Sequence, residues 1–258
     1  MAGLAIPILP TMSARAQDVP ASIRKSGKIR VALEYGRPPW GYKDTSLKPT
    51  GSDYETAVLL AKDLGVELEI VEVTGPNRVP ILVTSKADVV ISTFSITAER
   101  RKVVEFSLPY ASAVQYVAAP RSLDLRQPKD LSGKRVGVTR GTTGDMALSK
   151  LEIKAMEIVR FDDEATNMTA FASGQVDIVV QEPAVISRVA EQNPKREIEQ
   201  KFTIAEFDVG IGLRKNDVEL TDYINGWVRQ NLANRKLNEI YRKFHGVDLP
   251  PSILSGKA

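Results

Sequence analysis

The chain has 258 residues, 43% hydrophobic and 26% charged, with a formal net charge of +3. This composition is ordinary for a soluble globular protein, and the length suits two domains of roughly 120 residues each. The charge is too small, and too little interleaved with aromatics, to point to nucleic acid. No apolar run approaches the roughly 20 residues needed to cross a bilayer. With no cysteine, disulfides, thiolate catalysis and cysteine-held metals are excluded. The single histidine, His245, leaves no basis for a serine–histidine triad or a two-histidine metal site. In its basic C-terminal segment it reads as a surface residue. Nothing calls for a cofactor.

The first elements follow in chain order. MAGLAIPILPTMSARA (1–16) is apolar through Leu9 and ends on Ala14-Arg15-Ala16. This is an A-x-A pattern, and the segment reads as a signal peptide lacking its basic start. Its removal takes away Arg15 and lowers the formal net charge from +3 to +2. GKIRVAL (27–33) is a strand. Ser52 precedes Glu55 by three residues, the spacing of a capping box, ahead of a helix that Gly65 stops. VELEI (66–70) alternates as a strand, 77–84 reads as a short helix, and ADVVI (87–91) as a buried strand.

This β-α-β-α-β pattern then recurs. GKRVGV (133–138) is a strand, GTTGD (141–145) opens a helix, and MEIVRF (156–161) is a strand. EATNMTAFAS (164–173) is a helix closed by Gly174, and VDIVV (176–180) is a buried strand. SKADVVIS (85–92) and SGQVDIVVQ (173–181) match with Asp88 on Asp177, an internal repeat at the level of a lobe. YVAAP (116–120) is a crossover strand, FDVGIGL (207–213) a late strand, and two helices close the chain near 217–232 and 235–244. The fold class is therefore α/β, two lobes with a hinge and an interlobe cleft. The expected boundaries are 20–115 with 205–258 for lobe 1 and 116–204 for lobe 2. The hinge falls near 112–120 and 203–209.

Ligands in open α/β sheets bind beyond the carboxyl ends of strands. There the first lobe places Ser92, Thr93 and Ser95, with Arg100 close behind, and the second places Gln181 and Glu182. Arg100 suits a carboxylate, which a guanidinium grips with two parallel bonds. Thr142 and Thr143 open a helix whose free amides favour the same anion. Glu182 and the hydroxyls near Ser92 offer acceptors to an ammonium group. GTTGD is no P-loop, because no Lys-Ser/Thr follows at the required spacing.

GKIRVALEYGRPPWGYKD (27–44), DVVISTFSITAERRKVVEFSLPY (88–110), LSGKRVGVTRGTT (131–143) and GIGLRKND (210–217) together carry a specific likeness. The chain resembles the bacterial extracellular solute-binding family 3, periplasmic binding proteins of polar amino acid ABC importers. The resemblance implies a type II periplasmic binding protein-like fold, an amino acid ligand, docking on a membrane ABC permease, a periplasmic location and a monomer. By position it gives Arg100, helped by Thr143 and the Ser95 region, to the ligand α-carboxylate. It gives Glu182, helped by Ser92 and Thr93, to the α-ammonium. Trp40 takes the aromatic wall position. Gly75 stands where a wall aromatic is common. Arg78 resembles an arginine that faces a second carboxylate in glutamate- and aspartate-binding members. Glu34 suits cationic or neutral ligands instead, and pairs with Arg78 or Arg37 on this reading. The balance leans to acidic or polar amino acids. Two other readings remain: a cyclohexadienyl dehydratase-like enzyme using Glu182 or Glu34 as the acid, and a sensor domain.

Overall fold

The computed structural model describes residues 19–256, so the expected signal peptide lies outside the described residues. A short helix α1 (Ala21–Ser26) leads into β1 (Lys28–Leu33), whose Ile29, Val31, Ala32 and Leu33 are buried. A small ribbon follows, made of β2 (Gly36–Arg37), β3 (Gly41–Lys43) and β4 (Pro49–Thr50). Then come α2 (Ser52–Leu64), β5 (Glu67–Glu72), α3 (Arg78–Val83) and β6 (Val89–Val90). Strands β5 and β6 lie on either side of β1, both parallel to it. Such pairing needs crossover connections, and α2 and α3 supply them.

Helix α4 (Ala98–Arg101) and the long β7 (Val104–Pro120) lead to a second unit. It comprises β8 (Arg135–Thr139), α5 (Thr143–Lys150), β9 (Glu157–Phe161), α6 (Glu164–Ser173) and β10 (Ile178–Gln181). Strands β9 and β10 flank β8 in parallel, the same topology as β5-β1-β6. Helix α7 (Pro183–Gln192) is followed by β11 (Ile198–Arg214), then α8 (Val218–Ala233), α9 (Lys236–His245) and α10 (Pro251–Leu254). Strands β7 and β11 pair antiparallel along their length and join both units into one eight-stranded sheet, ordered β5-β1-β6-β11-β7-β10-β8-β9.

Two separate cores form on this sheet. Towards β1, Ile29, Val31, Leu60, Ala111 and Ala113 pack with Val209, Trp227 and Leu249 on one face, and Leu82, Val90, Phe94 and Phe106 pack on the other. Towards β8, Val117, Leu131, Val136, Leu148 and Ile178 form one cluster, and Ala118, Phe171, Val179 and Ile186 another. Each half buries its own apolar residues, as two α/β lobes should.

Some expectations need correction. The capping box at Ser52 does not form. Gly51 is the N-cap residue, and no side chain caps α2; the Ser52 hydroxyl lies 3.0 Å from Nε2 of His245 instead. His245 is half-buried rather than free on the surface: it stacks on Tyr241 at 4.1 Å and meets the edge of Trp40 at 4.4 Å. Strand 87–91 is reduced to Val89–Val90, whereas the strands expected at 116–120 and 207–213 are each 17 residues long.

Candidate functional site

The chain leaves β6 in a tight turn with Thr93 at φ 44°. Asp53, the second residue of α2, holds that turn. Its Oδ2 accepts bonds from the Thr93 amide (2.7 Å) and hydroxyl (3.0 Å), and its Oδ1 accepts one from the Tyr110 hydroxyl (2.7 Å). Burial pushes the Asp53 carboxyl up to about 6, against the pull of those bonds. The Ser92 hydroxyl receives the Glu34 amide at 3.1 Å. Ser92 and Thr93 thus shape the turn, and their carbonyls do the presenting.

The carbonyls of Ser92, Thr93 and, two residues on, Ser95 collect two arginines. Nη1 of Arg78 donates to Ser92 O (2.8 Å) and Thr93 O (3.0 Å), and its Nε to Gly75 O (3.1 Å). Arg100, on α4, donates to Ser95 O (2.7 Å) and reaches across to Gly141 O of the other lobe (3.1 Å). Both guanidinium groups lie near the buried Phe94 ring, Arg78 at 5.7 Å and Arg100 at 4.8 Å, within cation–π range. Both are buried, and among the described residues neither has a carboxylate partner. Burial lowers the pKa of Arg78 and takes that of Arg100 down to about 9, where repulsion from Arg78 and Arg37 adds to it. A ligand carboxylate beside them would supply the missing negative charge.

The other lobe meets this patch with the start of α5. The Thr142 hydroxyl donates to Thr139 O (2.7 Å) and accepts the Asp145 amide (3.3 Å), so this side chain is committed to capping. The Thr143 hydroxyl lies 3.4 Å from that of Ser95, a contact between lobes. The amides of Thr143 and Gly144, ahead of the capped Asp145, have no acceptor within the helix, and a helix start of this kind favours an anion. The lobes also approach at Gly75, where a Cβ would sit 3.4 Å from Cγ2 of Thr142 and 3.2 Å from the Arg78 guanidinium.

The opposite end of the cleft is acidic. Nη2 of Arg37, from β2, donates to Oε1 of Glu182 (2.5 Å) and Oε1 of Gln181 (3.3 Å) across the lobes, while Nη1 stands 3.9 Å from Oε2 of Glu164. Gln115 on β7 also donates to Oε1 of Glu182 (3.3 Å). Glu164 accepts bonds from Thr139 (2.8 Å) and Gln181, and burial pushes its carboxyl up to about 7. The expected pairing of Glu34 with Arg78 or Arg37 is not made. Arg37 has nearer carboxylates in the other lobe, and Arg78 is taken up by main-chain carbonyls. Among the described residues, four buried polar atoms here have no hydrogen-bond partner: Oε2 of Glu34, Nε of Arg37, Nε1 of Trp40 and Oε2 of Glu182. Such atoms are rare in the interior of a folded protein, and their convergence marks the cleft as a place for a polar ligand.

Trp40 sits 3% exposed between the lobe 1 core and a cavity of about 310 Å³ that it lines with Glu182, Tyr241 and His245. On the acidic side a pocket of about 610 Å³ is lined by Glu34, Glu72, Thr74, Asn77, Asp163 and Glu164, among others. Sequence reasoning did not identify Asp53, Tyr110, Gln115 or Glu164 as site residues. Acids in the first turn of a helix are commonplace, and that ordinary reading concealed Asp53 and Glu164.

Residues 29–247 match the family of bacterial extracellular solute-binding proteins, family 3. The chain belongs to this family. It is 27% identical to the L-arginine-binding protein of Pseudomonas aeruginosa, over 86% of this chain and 89% of that one. It is 28% identical to the L-cystine-binding protein TcyJ of Escherichia coli, over 88% and 86% respectively. Among solved structures it is similar to the ancestral amino acid-binding protein AncCDT-1, a precursor of cyclohexadienyl dehydratase. That likeness has a TM-score of 0.77 and 31% identity, covering 86% of this chain and 97% of that one. The relatives of this family-3 chain are amino-acid-binding proteins, and its two lobes are theirs.

Proposed function

We propose that this family-3 protein captures a free amino acid with an acidic or polar side chain between its lobes and presents it to a membrane ABC permease. On this reading it works as an exported monomer, in the periplasm. The ligand α-carboxylate lies against Arg100 and the first amides of α5, and the α-ammonium takes the unpartnered Oε2 of Glu182. The carrying observation is Arg100: a buried guanidinium, bonded to carbonyls of both lobes, with no acid to balance it. Arg78 beside it favours a side chain that can accept hydrogen bonds, and the free Oε2 of Glu34 favours one that can also donate. No bond chemistry is needed, because a ligand that binds the closed state better than the open one drives closure by itself. The hinge assignment draws support from the cores. Along β7 the packing changes lobe between Ala113 and Tyr116, and along β11 between Ile204 and Val209.

The test is calorimetric titration of ligand-stripped protein with the twenty amino acids, with prephenate and arogenate included. One or more acidic or polar amino acids should bind, and Arg100→Ala should weaken them at least ~100-fold, from losing a desolvated charge pair. Undiminished binding by that variant would overturn the assignment. Turnover of prephenate or arogenate would replace it with the enzymatic reading.

A further inference from the structure

Three carboxylates, Glu34, Glu164 and Glu182, converge at one end of the cleft, and alone they would make a subsite for a cationic side chain. The protein already holds a cation there. The Arg37 guanidinium is buried, reaches from one lobe into the other and binds Glu182 at 2.5 Å, Gln181 at 3.3 Å and approaches Glu164 at 3.9 Å. Burial opposes its charge, but Glu182, Glu164 and Glu34 together outweigh burial and raise its pKa. It leaves one oxygen of Glu182 and one of Glu34 without a partner, room for a single ligand ammonium and one further donor.

We propose that Arg37 is a tethered cation that fills the acidic subsite of the cleft and so makes the protein reject amino acids with cationic side chains. The inference rests on the proposed amino-acid function and adds the residue that sets its selectivity. A ligand guanidinium or ε-ammonium entering this end would meet Arg37 at close range in a desolvated site, where like charges repel most strongly. Specificity of this kind comes from what the site repels as much as from what it attracts. The same group crosses the cleft, so the contact that rejects one ligand class also helps hold the lobes together.

Removing the side chain tests this. Arg37→Ala should improve affinity for L-arginine and L-lysine, relative to L-glutamine and L-glutamate, by at least tenfold over the wild-type ratio. A second readout needs no amino acid. Guanidinium chloride at low millimolar concentration should raise the melting temperature of Arg37→Ala above that in matched sodium chloride. It should not do so for the wild type or for Arg37→Ala with Glu182→Gln. Should Arg37→Ala fold poorly, Arg37→Gln carries both measurements. Wild type that binds arginine or lysine as tightly as its best neutral or acidic ligand would overturn the proposal. So would an unchanged selectivity ratio, or a variant indifferent to guanidinium. Wild type that binds no amino acid at all would sink the proposed function instead, and the guanidinium readout would still judge Arg37.

Discussion

His245 shows how a residue's surroundings replace its default behaviour. Stacked on Tyr241 and edged by Trp40, it has its pKa pushed by burial from 6.5 down to about 4. The folded state therefore favours the neutral ring. The stability this gives is full above pH 6.5 and is lost as the pH falls from there towards 4. Asp53 and Glu164 act the other way. Burial raises both, to about 6 and about 7, so each costs stability as the pH climbs from its ordinary range into that window. The His245 contribution is isolated by comparison with His245→Phe, which keeps the stack. Melting temperatures recorded between pH 4 and 7 should show the wild type gaining on the variant as the pH rises. Parallel curves would mean the ring titrates normally. The sequence offered one basic segment around a lone histidine, with Tyr241 one helical turn before it but no sign of Trp40, which lies some two hundred positions away. Likewise Arg100 and Glu182 were legible as charged residues just past buried strands. That Arg37 meets Glu182 and Glu164 was not, because both arrive from the other lobe.

At the scale of elements, the turn after β6 depends on α2. Asp53→Ala would leave the Thr93 amide, the Thr93 hydroxyl and the Tyr110 hydroxyl short of an acceptor. The unsatisfied groups cost roughly 3 kcal/mol, which lowers the melting temperature by about 6–12 °C at this chain length. Amino acid affinity should fall as well, since the turn's carbonyls position Arg78 and Arg100. A variant that melts like the wild type would show that water replaces Asp53 without loss. The parallel units were readable from the sequence because their strands are short, apolar and bounded by glycine and by helical stretches. The 17-residue strands were not. β7 carries Pro109 and has no period-two burial, and β11 begins with the half-exposed, charged stretch IEQKFTIAEFD. Both are held by pairing with each other, a long-range cause that a local pattern does not record. The small ribbon β2-β3-β4, which carries Arg37, was missed because its strands are only two or three residues long.

For the whole molecule, closure is a matter of what crosses the cleft. Among the described residues the buried polar crossings are Arg37 to Glu182, Gln181 and Glu164, Arg100 to Gly141 and Ser95 to Thr143. Lys150 also reaches Glu99 at 3.5 Å, but both side chains are exposed. Exposed pairs contribute about 0–1 kcal/mol, so Lys150→Gln should change amino acid affinity less than about fivefold in the same titration. A larger loss would show that the rim, and not the cleft interior, governs closure. The cleft charges set the expected salt behaviour too. Desolvated contacts are poorly screened, so affinity should change little between 50 and about 300 mM salt.

The pairing of β7 with β11 also orders events in time. Strand β6 has β1 on one side and β11 on the other, with Gly212 opposite Val90, and the core around β1 includes Val209, Ile211, Trp227 and Leu249. A chain emerging amino end first, from a ribosome or through a membrane, has made more than nine-tenths of its length before that core can close. The β8 unit needs nothing beyond β7 and the first part of β11, so its contacts become available earlier. The half that begins the sequence is the half that must wait for its end.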